Sequence, residues 1–484
     1  MKKKFTILLS IALLGNYACK KSNLTPSDPV AVETVNGAAF STSARIQAQV
    51  LGLYAALRNG QLYGGRYEVY NDVKADNWIN STANSVTAYQ TWTETVSSTS
   101  SEVLNLWSYA YQAINDCNLF LDGMASTGTA VVGTTLANQY IAEAKFIRAA
   151  SYYALLQFYC QPYVVNNGAS PGVPLRLTGN LLYANYDMAP ATVAQVYAQI
   201  INDLNAAETG LPLAYYGSGT TLDATNCTVR AHRNTAIAFK TRVYLSMQQY
   251  SNVITEANKI VSAAAPFKAA TGYPNALQAS EKAMFSNYTN SEYILAMPFN
   301  ATETPGTQNQ IATYFSGLGS SEYYLNPSGV IADANWKSTD ERRSLIVTKS
   351  SRNYQNKFPT GSPYTDWVPV MRYAEVLLNL AEARSRTAGV DAQAIALLNA
   401  VRQRSDPSTT YTAANFASGT DLANAILEER NIEFLGEGLR WSDLMRLDLP
   451  IPAKQNIPAI SPTSSSYIWP MSSNEELYNK LIGR

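Results

Sequence analysis

The chain has 484 residues, 46% of them hydrophobic, enough to bury a large core. Only 15% are charged, against about a quarter in an ordinary soluble protein, and 36 basic residues balance 36 acidic ones. That neutrality excludes the electrostatic footprint of a nucleic-acid binder, and beyond Lys2, Lys3 and Lys4 there is no basic tract for anionic lipid.

Polar amides, hydroxyls and rings replace the missing charge: 32 Tyr and 7 Trp stand against 13 Phe. Both ring types join an apolar face to a polar handle, which suits packing near a surface and wet binding faces alike. At the N-terminus, the three Lys precede an apolar run from Phe5 to Leu14, too short to span a bilayer. Residues 1–18 read as a secretory signal peptide. Cys19 after Ala18 reads as the acylated first residue of a bacterial lipoprotein, although Asn16 and Tyr17 depart from the usual pattern. The alternative is plain cleavage near Ala18 and a soluble periplasmic product. Residues 19–38 are polar and aperiodic, with Pro26 and Pro29, and read as a lipidated tether. Cys117, Cys160 and Cys227 give no disulfide framework and no zinc spacing.

Helical periodicity then begins. Residues 39–59 predict a first long helix, and 60–100 break the pattern. A helix over 102–124 sets Trp107, Tyr111, Ile114, Asn118 and Leu121 on one face and stops near Gly123. In "AEAKFIRAASYYALLQFYCQPY" (142–163), Phe146, Tyr153 and Leu156 recur at helical spacing opposite small Ala residues, the pattern of close helix packing rather than a ligand box. Another helix covers 192–208. Residues 233–264 and 372–404 each predict a helical hairpin of about 34 residues, the tetratricopeptide period. Ser251 is the expected cap in the first; Gly389 and Asp391 end one helix and start the next in the second. A last helix covers 421–436. The fold class is therefore mostly α: a tetratricopeptide-like scaffold of helical hairpins with two large irregular insertions, about 60–100 and 265–370, carrying short strands such as "EYILAMPF".

The densest charge lies at Glu428, Glu429, Arg430, Glu433, Glu437, Arg440, Asp443 and Arg446. One reading makes Glu433 and Glu437 a carboxylate pair for glycoside hydrolysis. The other pairs these acids with Arg372, Arg402, Arg440 and Arg446 to lock the C-terminal helices, and adjacent acids on one helix favour it because they do not flank a sugar. His232 is the only His, which leaves no His-based zinc set and no free triad base. Asp340 and Arg342 read as a structural pair. No phosphate-binding glycine loop, catalytic residue, resident metal or cofactor is indicated.

Five segments together resemble the SusD/RagB family of outer-membrane nutrient-binding lipoproteins: "WSYAYQAINDCNLFL", "AEAKFIRAASYYALLQFYCQPYV", "HRNTAIAFKTRVYLSMQQYSNVITEANKIV", "VMRYAEVLLNLAEARSRTAG" with "AIALLNAVRQR", and "ILEERNIEFLGEGLRWSDLMRL". The resemblance implies one SusD-like helical domain over 39–484. It also implies capture of oligosaccharide, or of peptide as in the RagB branch, without catalysis. The implied partners are a SusC-like TonB-dependent transporter and the outer membrane through the lipid anchor, with no nucleic acid. The implied location is the cell surface; Lys20 and Lys21, where acidic residues usually follow the acylated Cys, leave the periplasmic face open. A helical scaffold that only docks a protein partner is the competing class.

A sugar ring packs its C–H face on Trp or Tyr while its hydroxyls need amides and acids. The two insertions supply the candidates: Trp78, Tyr324 and Trp336 as a ring platform, with Tyr89 beside it and Asp76 and Asn77 as polar partners.

Overall fold

Apolar residues recurring every three to four positions build helices, and the computed structural model, which describes residues 38–181, 186–319 and 321–483, consists mainly of them. In chain order the principal helices are α1 (Ser43–Leu57), α2 (Arg66–Val73), α3 (Ser101–Gly123), α4 (Thr134–Tyr159), α5 (Val193–Gly210), α6 (Arg233–Ser246), α7 (Tyr250–Ala257), α8 (Tyr373–Ala388), α9 (Ala392–Ser405), α10 (Gly419–Glu433), α11 (Arg440–Arg446) and α12 (Ser473–Tyr478). The described strands are β1 (Trp78–Asn80), β2 (Tyr293–Met297), β3 (Tyr323–Leu325), β4 (Ile346–Lys349), β5 (Arg352–Gln355) and β6 (Val368–Arg372). They form only two-stranded antiparallel ribbons, β1–β3, β2–β6 and β4–β5. The leader and Cys19 lie outside the described residues.

Local chemistry sets the helix ends. Thr192 and Gln195 form a reciprocal capping box at α5. Gly389 takes φ +79 after α8, and the Asp391 carboxylate accepts from Ala394 N at 2.8 Å to start α9. Ser251 does not cap α7 as its residue type suggests. Gln248, at φ +55, reverses the chain earlier, so Gln249 is the cap and Ser251 falls within the first turn. The first irregular stretch also contains helix α2, hidden from periodicity because all eight of its residues are buried on every side.

Helix α4 packs against α3 and α5, α6 against α5 and α7, and α8 against α7, α9 and α10. The tyrosine-rich stretch of α4 is packing, with its hydroxyls satisfied: Tyr152 donates to Arg176 O (2.7 Å), Tyr153 meets Ser246 Oγ (2.9 Å), and Tyr159 donates to Val103 O (2.6 Å). Phe146 and Tyr153 meet Phe239 of α6 edge-on, with ring centroids 5.6 and 5.4 Å apart. One continuous apolar core runs from Phe40 to Trp469.

Beside that core lies a buried charge network. Arg342 binds Asp340 (2.7 Å), Glu429 (2.7 Å) and Glu433 (2.9 Å). Arg402 binds Glu429 (2.6 Å), and Arg404 binds Glu292 (2.9 Å) and Glu433. Arg372 binds Glu292 (2.7 Å), Glu433 (2.9 Å) and Glu437 (2.6 Å), and Lys357 binds Glu437 and Glu281, both at 2.7 Å. Five cations thus face six carboxylates, and burial pushes Glu281 up to about 7, nearest to losing its charge. Burial would raise Glu433 too, but Arg404, Arg372 and Arg342 outweigh it and hold Glu433 well below the ordinary range. The ion-pairing reading of these acids holds: Glu433 is bound by Arg342, Arg372 and Arg404 and Glu437 by Arg372 and Lys357, with both carboxylates buried. Arg440 and Arg446 pair elsewhere, Arg440 with Asp76 and Arg446 with Glu382 and Asp443.

The turn after α10 fits against α2. Gly438 sits at φ +78, and a Cβ there would come within 2.5 Å of Glu68 Cα, so only glycine allows the approach. Its N–H donates to Asp72 at 2.9 Å.

Removing one partner from the network leaves its neighbours buried and uncompensated. Glu433→Gln is expected to cost about 3–5 kcal/mol, read as a lower denaturant midpoint. Burial also pushes Glu68 and Asp72 up to about 8 and Glu102 to about 7. Groups raised in the folded state hold protons that the unfolded chain has released, so their stabilisation is complete below pH about 4 and is lost as pH rises through 7 and 8. His232, depressed to about 3, adds nothing further above pH about 6.5, and Lys454, lowered to about 8, acts only above that value. The unfolding free energy is therefore expected to fall between pH 6.5 and 8, by up to about 1.4 kcal/mol per pH unit for each fully retained proton, read as a lower thermal midpoint.

Candidate functional site

The two irregular stretches meet. Strand β1 of the first pairs antiparallel with β3 of the second, with Trp78 opposite Leu325, Ile79 opposite Tyr324 and Asn80 opposite Tyr323. Asn77 clamps the junction. Its side chain donates to Asn431 Oδ1 (2.7 Å) and accepts from Val330 N (3.1 Å), while its carbonyl accepts from Asn326 N (2.8 Å).

This seam corrects the expected ring platform. Trp78 is fully buried, stacked on Phe315 with centroids 4.0 Å apart, and its carbonyl accepts from Trp92 Nε1. Trp336 is 2% exposed and roofed by the Arg343 guanidinium 4.1 Å above its ring. Neither indole offers a face to solvent. Asp76 is committed to Arg440, at 2.9 and 3.2 Å, and Asn77 is buried in the clamp. Asp76, Asn77 and Trp78 read as exposed from their polar surroundings because their partners lie far along the chain, whereas Trp336 is covered by Arg343 of its own turn.

Two predicted rings keep an exposed part. Tyr324 is half-buried, on the opposite strand face from the inward Tyr323, with Arg352 4.7 Å above its ring. Tyr89 is half-buried and stacks on Trp92 at 6.0 Å. The seam therefore brings Asp76, Asn77, Trp78 and Tyr324 together, and Trp92 links Tyr89 to it, while Trp336 belongs to a separate turn.

At the same junction is a hollow of about 230 Å³ lined by Thr87 from the first stretch and Gln308, Gln310, Thr313, Glu322 and Tyr364 from the second. Tyr323 anchors its wall by donating to Thr87 O at 2.9 Å. Glu322 accepts from Thr82 and lies 3.5 Å from the Asn84 amide, and its own backbone amide donates to Thr313 O. The side-chain oxygen of Gln310 is buried here with no hydrogen-bond partner. A buried polar atom left unpaired costs about 1–3 kcal/mol, which a ligand that supplies the bond recovers. The hollow is smaller than the roughly 300–1,000 Å³ of drug-sized pockets, so it suits one ring of a longer ligand. Among the described residues no cluster of metal-ligating side chains occurs, and no helix is long and apolar enough to cross a membrane.

These lining residues were not singled out in sequence. Glu322 adjoins Tyr323-Tyr324, and the alternating Gln308 and Gln310 flank a buried Asn309, but nothing local marks them as converging.

Comparison with known proteins places this arrangement. A family model described as the SusD family matches residues 242–479, and another described as starch-binding associating with outer membrane matches residues 27–245. The structure superposes on a SusD superfamily protein from Bacteroides fragilis with a TM-score of 0.82 and 32% identity, covering 92% of this chain and all of the other. A laminarin-binding SusD-like protein superposes with a TM-score of 0.68 at 20% identity, over 91% of this chain and 98% of the other. A SusD-like protein of Formosa agariphila is 23% identical over 92% of this chain and 91% of its own.

The buried indoles make a stability prediction. Trp78→Ala is expected to cost about 3–5 kcal/mol in chemical denaturation, as for a core aromatic, whereas Tyr324→Ala is expected to cost about 1 kcal/mol or less.

Proposed function

The chain belongs to the SusD family, and on that premise we propose that it captures a neutral oligosaccharide without cleaving it and passes it to a SusC-like TonB-dependent transporter in the outer membrane. Acylated Cys19 would tether it to that membrane, at the cell surface. One observation carries the glycan reading: the hollow between the two irregular stretches combines an aromatic residue, Tyr364, with amides and a carboxylate, and holds a buried Gln310 oxygen awaiting a donor. A sugar ring supplies both a C–H face and hydroxyl donors. The laminarin-binding relative supports the same class of ligand. Tyr324 and Tyr89 stand as outlying contacts for further sugar units, while Trp78 and Trp336 serve the fold.

Affinity electrophoresis through gels containing laminarin, starch, xylan or mannan is expected to show retardation by at least one polymer. The dissociation constant is expected to rise about tenfold in Gln310→Ala and in Tyr364→Ala, a loss of about 1.4 kcal/mol each. Retardation that survives both changes overturns the hollow as the site, and free migration in every gel overturns glycan capture.

A further inference from the structure

A second, larger concavity of about 580 Å³ lies away from the seam, with no residue of either irregular stretch in its walls. Helix α3 supplies one wall, the segment around 176–180 the floor, and the C-terminal helix α12 the other wall. Its interior is fixed in place. Trp107 and Tyr111 pack with centroids 4.9 Å apart, and the Tyr111 hydroxyl donates to Pro174 O at 2.7 Å. Asn115 and Asn180 bond each other twice, side chain to backbone, at 3.1 and 2.8 Å. Asn479 does the same with Met188, at 2.7 and 2.8 Å.

Among the described residues, the charges in the lining are Arg176 and Glu475, which pair with each other at 2.8 Å and leave no unpaired charge there to recognise an ion. Its rim is different. Ser108, Gln112 and Asn474 are exposed and their side chains make no hydrogen bond among the described residues. Tyr478 projects beside them with 66% of its surface exposed. Uncommitted hydroxyl and amide groups around the half-buried Tyr111 ring and the exposed Tyr478 ring, with charge cancelled, match the two-sided chemistry of a sugar, while Trp107 is buried beneath them. An extended peptide would pair its backbone along a strand edge, and no strand contributes to the walls.

We propose that this groove is a second binding site for a neutral sugar, separate from the hollow at the seam. The proposal rests on the glycan reading and adds that one long chain can engage two places on the protein. Avidity from two linked contacts raises affinity for long chains over short ones without changing either site.

The test uses the full chain, the same four polysaccharides and their purified oligosaccharides, titrated calorimetrically. The double variant Tyr478→Ala/Gln112→Ala alters only exposed side chains. It is expected to halve the number of short oligosaccharides bound per chain and to weaken binding of the parent polymer at least tenfold. Gln310→Ala is expected to leave the groove's share of binding intact. Unchanged stoichiometry and polymer affinity in the double variant, with the wild type binding normally, overturns the second site and leaves glycan capture standing. A wild type that binds none of the sugars overturns both. Retention of peptides from a tryptic digest, abolished by Tyr478→Ala, also overturns the sugar assignment for this groove.

Discussion

The buried charge network is the constraint on which the rest depends. Arg342, Arg372 and Lys357 come from the second irregular stretch and its boundary, while Arg402, Arg404, Glu429 and Glu433 come from α9 and α10. A loop-rich segment of about a hundred residues carries little regular hydrogen bonding of its own. It acquires a defined shape because its charges have no acceptable place except against the opposite charges of the helices. Desolvation makes such a network costly to form and more costly to break, so it specifies one arrangement rather than adding net stability.

That constraint explains why the frame and the seam were unequally legible. Periodicity placed α3, α5, α8 and α10 within a few residues and found the body of α4 but not its first eight residues, and Gly389 and Asp391 marked their turn by mechanism. The tyrosine-rich stretch of α4 read correctly as packing because Ala and aromatic residues alternate there at helical spacing. Sequence offered no equivalent rule for the seam. Asp76 finds Arg440, Asn77 finds Asn431 and Trp78 finds Phe315, and none of these partners is signalled nearby. Asp76, Asn77 and Trp78, which looked like ligand contacts, are long-range joints, and α2 escaped notice because burial on all sides erases amphipathic contrast.

The hollow inherits its character from this arrangement. Its walls are held by main-chain and side-chain bonds that cross between the stretches, such as Tyr323 to Thr87 and Ser81 to Glu322. The side-chain oxygen of Gln310 is left without a hydrogen-bond partner in this wall. Polar atoms held this way are arranged before any ligand arrives, so binding need not spend free energy on ordering them.

The Asn77–Asn431 clamp also bears on the order in which the molecule can be made. Its two side chains are separated by 354 positions, and Asp76 waits 364 positions for Arg440. On a ribosome, the first irregular stretch emerges long before the residues that lock it. Contacts of such separation form slowly, after the local helices. The joint between the first irregular stretch and the last helices therefore cannot close until almost the whole chain has been made.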